Sequence, residues 1–455
     1  MTSAANHAEL HPYAARVYDE LRRTFPWEQE FLQAVLEVFE SITPALVNNP
    51  HYETESVLER VAEPQRVHAF RVVWVDDRGD IKVNRGWRVQ FNNVLGPYKG
   101  GLRFHASVSL SALKFLGFEQ TFKNALTGLP MGGGKGGSDF HARLHSEREI
   151  MRFSQAFMTA LHQHIGPETD VPAGDIGVGA REIGWLFGQY KRLTNDFQGV
   201  LTGKGLDWGG SRLRPEATGY GLVYFTQNML ADKGEELAGK RLAVSGFGNV
   251  AWGAVKKASE LGAKVVTLSG PDGYIYDPDG ISGDKVDYML VMRGSGRDEV
   301  KMYAEEFGVD FHEGKRPWEV PVDVALPCAI QNELEEADAQ ALVSNGVKFV
   351  AEGANMPTTP GAMRVFREAG VPFSPGKASN AGGVGVSGLE MAQNKSGSRW
   401  TADRVDQTLH EIMTSIHDTC LSAAAEAGRP GDYVTGANIA GFIKVADAMI
   451  EQGAV

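Results

Sequence analysis

Ser245-Gly246-Phe247-Gly248-Asn249-Val250-Ala251 is the stretch whose reading decides the fold. It fits the pattern G-x-G-x-x-A, which is weak alone in a chain of 54 glycines. Its context is what makes it specific. Residues 241–245 read as a short strand, and the segment after Gly248 opens a helix with Val250, Ala251, Ala254, Val255, Ala258 and Leu261 at three-to-four-residue spacing. A dinucleotide site needs this arrangement. Gly246 permits the tight turn, Gly248 lets backbone approach a pyrophosphate, and Ala251 lets helix and strand pack closely. The helix N-terminus then faces the negative charge.

Working outward, residues 264–268 read as a second strand, and the apolar runs 322–326 and 347–351 as buried parallel strands. The texture from about residue 203 is that of a doubly wound α/β sheet. Asp272 lies 21 residues past Ala251, where a carboxylate would accept from a ribose 2′-OH and repel a 2′-phosphate. That favours NAD, with NADP as the alternative. Pro271-Asp272-Gly273 is also ordinary turn chemistry.

Upstream, the first 60 residues read as helices. Val67 to Phe91 reads as strands with a turn at residues 76–80, and 110–126 and 147–165 read as helices. Between these helices, residues 128–137 read as a glycine-rich loop around Lys135. It is not a phosphate-binding loop, because Gly136 stands where a magnesium-binding Ser or Thr is needed. Five glycines around one lysine suggest backbone folded tightly against a small ligand. Lys99, in Pro97-Tyr98-Lys99-Gly100-Gly101, and Lys123 lie upstream. Three converging lysines would suit a dicarboxylate, and their mutual repulsion would depress the pKa of the most buried one. Asp175, among small residues in Pro172 to Gly179, reads equally as a catalytic acid/base or as a cap on a helix starting near Ala180. The final 50 residues read as helical, with Leu409, Ile412, Met413 and Ile416 on one face.

The bulk properties agree. A chain of 455 residues exceeds one hydrophobic core, so two domains are expected. A net charge of −12 argues against nucleic-acid and anionic-membrane partners. No apolar run is long enough for a transmembrane helix. Residues 1–10 lack a basic segment followed by an apolar core, so no signal peptide is expected. Cys328 and Cys420 are too few for a disulfide framework; they read as small buried hydrophobes in a reducing, cytoplasmic compartment. No metal site is expected.

Several longer motifs carry a resemblance. Gly96-Pro97-Tyr98-Lys99-Gly100-Gly101-Leu102-Arg103-Phe104, the glycine run around Lys135, Pro172 to Gly179, and Arg214-Pro215-Glu216-Ala217-Thr218-Gly219-Tyr220-Gly221 resemble the hexameric glutamate dehydrogenases of bacteria and lower eukaryotes. So do Glu352-Gly353-Ala354-Asn355-Met356-Pro357-Thr358 and Asn380-Ala381-Gly382-Gly383-Val384, in the same order over nearly the whole chain.

The resemblance implies an enzyme that interconverts L-glutamate with 2-oxoglutarate and ammonium. Lys135 would activate the water that attacks the imino carbon, and Asp175 would carry protons to and from the amino nitrogen. Lys99 and Ser387 would hold the distal carboxylate, and Lys123 and Gln120 the α-carboxylate, with the Gly174 backbone nearby. Thr218 and Asn249 would contact the dinucleotide, with Gly246, Phe247, Gly248 and Val250 forming its turn and Asn355 near the nicotinamide ribose. It also implies a homohexamer built from a substrate and oligomerisation domain with a mixed sheet (residues 1–205 with 430–455) and a Rossmann-like domain (206–429).

Phe247 and the run Ser269 to Gly273 resemble the NAD-preferring clostridial branch. One departure is Asp139-Phe140-His141-Ala142, where family members often read Asp-Phe-Asp-Pro. The alternatives are a dehydrogenase of leucine, valine or phenylalanine, which would not need both Lys99 and Ser387, and a catalytically silent NAD-sensing protein.

Overall fold

Two sheets organise the chain. The computed structural model describes residues 10–455, which divide into two compact units. The first contains residues up to Arg212, together with Ser387–Trp400 and Asn438–Val455; the second contains Leu213–Val386 and Thr401–Ala437. These limits differ from those expected, because Ser387–Trp400 packs with the first unit. The buried Glu390 accepts from the Gly203 N–H at 2.9 Å and pairs with the Lys204 ammonium, also at 2.9 Å. The expectation about a signal segment rests on residues of which 1–9 lie outside the described ones.

In the first unit, β1 (Arg66–Val75), β2 (Ile81–Asn92), β3 (Tyr98–Phe104), β4 (Gly133–Ser138) and β5 (Asp170–Gly174) form a mixed sheet in the order β1-β2-β4-β3-β5. The β1–β2 and β2–β4 pairs are antiparallel, and β4–β3 and β3–β5 are parallel. The turn expected at 76–80 closes the β1–β2 hairpin, with the Asp76 carboxylate accepting the N–H groups of Arg78 and Asp80. The expected helices form as Leu110–Leu126, capped by Ser109, and Glu147–Leu161, opened by a Ser146/Glu149 capping box. Phe104, Phe140, Phe153 and Phe157 lie in the core on one side of the sheet, Phe140 stacked on Phe153 at 3.8 Å.

The expected glycine loop is partly wrong. Residues 133–138 are a central strand with all six positions buried. Glycine is a poor strand former, but here the neighbours leave no room for anything larger. A Cβ at Gly133 would lie 2.0 Å from Thr121 Oγ1, and one at Gly136 would lie 2.8 Å from Leu102. The buried Arg88 crosses the far face: a Cβ at Gly134 would come within 3.3 Å of its guanidinium. Arg88 is itself held by Asp170 and by the Gly100 carbonyl. Strand β4 thus exists because two layers close onto it, an instance of tertiary packing overriding local propensity.

The second unit carries β6 (Arg241–Val244), β7 (Lys264–Gly270), β8 (Gly273–Tyr276), β9 (Asp310–Glu313), β10 (Val324–Leu326), β11 (Phe349–Ala351) and β12 (Phe373–Ser374), ordered β12-β11-β10-β6-β7-β8-β9. The five strands from β12 to β7 are parallel, and β8 and β9 extend the sheet antiparallel. The doubly wound expectation holds for the parallel part; the antiparallel extension was not foreseen. Helices Ala217–Asp232 and Asn249–Glu260 pack backbone to backbone: a Cβ at Gly219 would lie 2.2 Å from the Ala254 nitrogen. Helix Ala402–Glu426 buries Leu409, Ile412, Met413 and Ile416, as their spacing predicts. Among the described residues no helix is long and apolar enough to cross a membrane.

Candidate active site

Lys99, Arg103 and Lys135 share one face of the first sheet. Arg103 on β3 and Gly137 on β4 are register partners. Side chains alternate along a strand, so Lys135 and Lys99 point to the same side as Arg103. Asp175 follows β5 in a tight turn closed by the Val178 N–H on the Asp175 carbonyl at 2.8 Å. Its carboxylate meets both cations, with Arg103 Nε at 2.7 Å and Lys135 Nζ at 3.1 Å on the same oxygen. Gly101 makes this approach possible, since a Cβ there would sit 2.8 Å from the Asp175 Cβ. Asp175 is not a helix cap. The helix Ala180–Thr194 begins at Gly179, whose N–H is taken by Glu182 at 2.8 Å.

The charges act on each other. Burial pulls the Lys135 ammonium below the usual lysine range; Asp175 pushes it back up and Arg103 pushes it down again. Burial alone would raise the Asp175 carboxyl, but Lys135 and Arg103 together outweigh it and hold it below the usual range. The result is an ionised aspartate beside a lysine that gives up its proton more readily than a surface lysine does. Sequence reasoning did not single out Arg103. Its signal was the two-residue period, since Lys99, Gly101 and Arg103 occupy alternate positions of one strand.

The remaining substrate candidates also belong to the first unit. Lys99 is buried on β3. Gln120 and Lys123 lie one turn apart on the helix Leu110–Leu126, which rests on the sheet. Asn124 fastens that helix, donating to the Lys99 and Gly132 carbonyls and accepting from Gln120 at 2.6 Å. Gly174 ends β5, directly before Asp175. Ser387 is buried, and the next residue, Gly388, packs against Leu129 and Met131 at the approach to β4. The departure at 139–142 is structural: Asp139 accepts from Asn84 and from the Arg85 N–H, and Phe140 lies in the aromatic core.

In the second unit the glycine turn lies between β6 and the helix Asn249–Glu260, as its pattern predicts. Gly246 has φ +79° and donates its N–H to Ser269 Oγ at 2.9 Å. Gly248 is the N-cap and offers no side-chain hydrogen bond to the first turn. A Cβ at Gly248 would meet no atom of the described residues within 4 Å. The helix N-terminus therefore keeps backbone N–H groups and its positive dipole end for an anion, which fits a dinucleotide phosphate. Val250 packs into the unit, and a Cβ at Gly219 would lie 2.4 Å from its carbonyl.

Phe247 borders the end of β7: a Cβ at Gly270 would lie 3.1 Å from its ring. Asn249 accepts from Arg293. Thr218 lies close to Gly383, and Asn355 accepts from Asn380 at 3.0 Å. Asp272 stands where expected, past the end of β7, but Pro271-Asp272 is also the two-residue turn of the β7–β8 hairpin. Both its oxygens accept backbone N–H groups, from Val300 and Lys301, at 2.9 Å each. The turn reading therefore applies, and any ribose contact would have to share the carboxylate. Cys328 and Cys420 are buried free thiols, raised by burial, Cys420 to about 12.

Comparison with known proteins places this geometry. Residues 209–453 match the family described as Glutamate/Leucine/Phenylalanine/Valine dehydrogenase, and residues 64–192 match the Glu/Leu/Phe/Val dehydrogenase dimerisation domain. The chain is 59% identical over 441 residues to an NAD-specific glutamate dehydrogenase of Bacteroides fragilis, covering 97% of this chain and 99% of the relative. It is also 59% identical to an NADP-specific glutamate dehydrogenase of Haemophilus influenzae, covering 94% and 95%. A solved glutamate dehydrogenase superposes with a TM-score of 0.96 at 54% identity, covering 98% of this chain and all of that one. The chain belongs to the Glu/Leu/Phe/Val dehydrogenase family.

Proposed function

We propose that this protein is a glutamate dehydrogenase, catalysing the reversible oxidative deamination of L-glutamate to 2-oxoglutarate and ammonium with NAD as carrier. The observation that carries the reading is the contact of Asp175 with both Lys135 and Arg103 on the sheet face that also presents Lys99. Lys135, whose proton is loosened by burial, activates water at the imino carbon. Asp175, kept ionised by two cations, accepts and returns the proton of the amino nitrogen. Lys123 and Gln120 hold the α-carboxylate beside the Gly174 backbone, while Lys99 and Ser387 hold the distal carboxylate.

Gly246, Phe247, Gly248, Asn249 and Val250 hold the dinucleotide's phosphate end, with Thr218 and Asn355 toward the nicotinamide. When bound, the dinucleotide supplies the hydride acceptor for oxidation. The assignment of NAD rests on the negative charge of Asp272 at the end of β7, which disfavours a 2′-phosphate. Overall identity does not decide it, since NAD- and NADP-specific relatives match equally well. The proposal includes a homohexamer in the cytoplasm. The apolar residues Val73, Val75, Ile81 and Val83, exposed on the edge hairpin β1–β2, suit a subunit contact.

Initial rates of glutamate oxidation with NAD and NADP at equal concentration test the reading. Faster turnover with NAD is expected, and a clear NADP preference would refute the role given to Asp272. A leucine, valine or phenylalanine dehydrogenase is the competing assignment. The double variant Lys99→Leu/Ser387→Val should lose glutamate oxidation by about 100-fold and admit apolar substrates. Unchanged glutamate kinetics in that variant would sink the distal-carboxylate site.

A further inference from the structure

Behind the glycine turn lies a buried carboxylate that the proposed chemistry does not use. Glu333, 7% exposed, accepts from Ser245 Oγ at 2.9 Å and from the Ala329 N–H at 2.8 Å, both on Oε1. The same Ser245 hydroxyl accepts the Cys328 N–H at 2.8 Å. Ser245 directly precedes Gly246, whose N–H is held by Ser269, and a Cβ at Gly246 would lie 3.1 Å from Ala329 Cα. The start of the turn is therefore clamped between the ends of β6, β7 and β10. The segment carrying Glu333 is itself fixed to residues 356–359 by Asn332 N–H on Met356 O, Leu334 N–H on Pro357 O and Thr359 N–H on Leu334 O, at 2.9–3.0 Å.

We propose that Glu333 is a positioning residue for the dinucleotide, holding Ser245 and through it the backbone of the glycine turn in the geometry that receives the phosphates. The inference rests on the reading of that turn as the dinucleotide site. It adds a pH dependence to it. Burial pushes the Glu333 carboxyl up to about 7, against the opposing hydrogen bonds from Ala329 and Ser245.

Two buried carboxyls near this clamp titrate near neutrality: Glu333, and Glu352, which burial also pushes up to about 7 and which accepts the Thr358 N–H at 3.2 Å. From the segment after β10 comes Cys328, whose thiol burial pushes well up. From the segment before the short turn Pro317–Glu319 comes Arg316, which donates to the Glu333 carbonyl at 2.7 Å and pairs with Glu335 and Asp338. The ends of β6 and β7 present Ser245 and Ser269, and residues 356–359 present Met356, Pro357, Thr358 and Thr359. Above pH 7 the carboxylate accepts every donor aimed at it. Below pH 7 the carboxyl is neutral and a weaker acceptor for the Ser245 and Ala329 donors, and the clamp loosens.

The test is NADH binding to the full-length protein, followed by fluorescence from pH 6 to 8.5, for wild type, Glu333→Gln and Glu333→Ala. NADH carries no 2′-phosphate, so its own charge is constant in this window. The wild-type Kd should rise about fivefold from pH 8 to pH 6, the size expected for one weakened hydrogen bond. In Glu333→Gln, which keeps the acceptor but cannot ionise, the pH slope of the Kd should be clearly smaller than in wild type, any remainder being that of Glu352, with the glutamate KM within twofold of wild type. Glu333→Ala should raise the Kd at every pH. If it does not fold, Glu333→Gln carries the test alone. Equal pH slopes in wild type and Glu333→Gln, both binding NADH, would overturn the role of Glu333 and leave the dinucleotide site standing. A folded wild type that binds no NADH would overturn both.

Discussion

The two glycine clusters of this chain look alike in sequence and do opposite things. In the first unit, Gly133, Gly134 and Gly136 are dictated from inside, because helix, strand and Arg88 press on the positions where side chains would begin. In the second unit, Gly248 has nothing of the described protein near its missing Cβ. One cluster spends its smallness on packing and delivers a single side chain, Lys135, into a charged site. The other keeps its backbone open toward an anion. A glycine therefore announces a ligand only when the fold does not already need it.

Four substitutions can break or sharpen this contrast. The largest effect is expected from Lys135→Ala, which should lower kcat for glutamate oxidation about 1,000-fold, roughly 4 kcal/mol of barrier, while NADH still binds. Turnover within tenfold of wild type would show that β4 delivers no catalytic group. Next comes a matched pair. Gly100→Ala places a Cβ 1.7 Å from the Gly134 carbonyl oxygen, which is backbone and cannot step aside. It should destabilise the protein by about 3 kcal/mol or prevent folding. Gly248→Ala should leave stability within about 0.5 kcal/mol and instead weaken NADH binding about tenfold. Thermal unfolding and NADH titration of both proteins check the pair, and similar loss of stability in both would erase the distinction.

The smallest effect concerns Arg103→Met. Removing a cation next to Lys135 favours the protonated lysine, so its pKa rises. The acid limb of kcat/KM for glutamate oxidation, which needs the neutral lysine, should then move to higher pH. A limb that stays in place, or moves down, would mean that Arg103 does not act on Lys135.

The parts of this molecule legible in the sequence are those in which local pattern and final structure agree. The helix after Gly248 shows its apolar stripe, the 76–80 turn has its aspartates, and the runs at 322–326 and 347–351 appear as β10 and β11. Strand β4 was not legible. A run of glycines carries no periodicity, and its strand geometry comes from partners 34 to 52 residues away in β2 and β3. Arg103 was passed over because β3 itself was not recognised, and without the strand its alignment with Lys99 has no meaning. Asp272 was placed correctly past β7, but its bonds to Val300 and Lys301 join residues 28 and 29 positions apart, beyond the reach of any local pattern. That Ser387–Trp400 groups with the first unit is invisible to local pattern for the same reason: Glu390 finds its partners some 187 residues upstream.

Strand β4 has one more consequence, which concerns the order of folding. Four glycines in six residues lose more chain entropy on ordering than any other composition would, and they bring almost no side-chain surface in return. Such a segment cannot nucleate. It can only be drawn in after β2, β3 and the helix Leu110–Leu126 have formed the slot that fits it, which makes its contacts late ones along the folding route. On this reasoning Lys135 is expected to reach Asp175 late in folding, with φ-values near zero for substitutions in β4. A partly folded chain with most of its helices in place would still lack the pairing on which the chemistry depends.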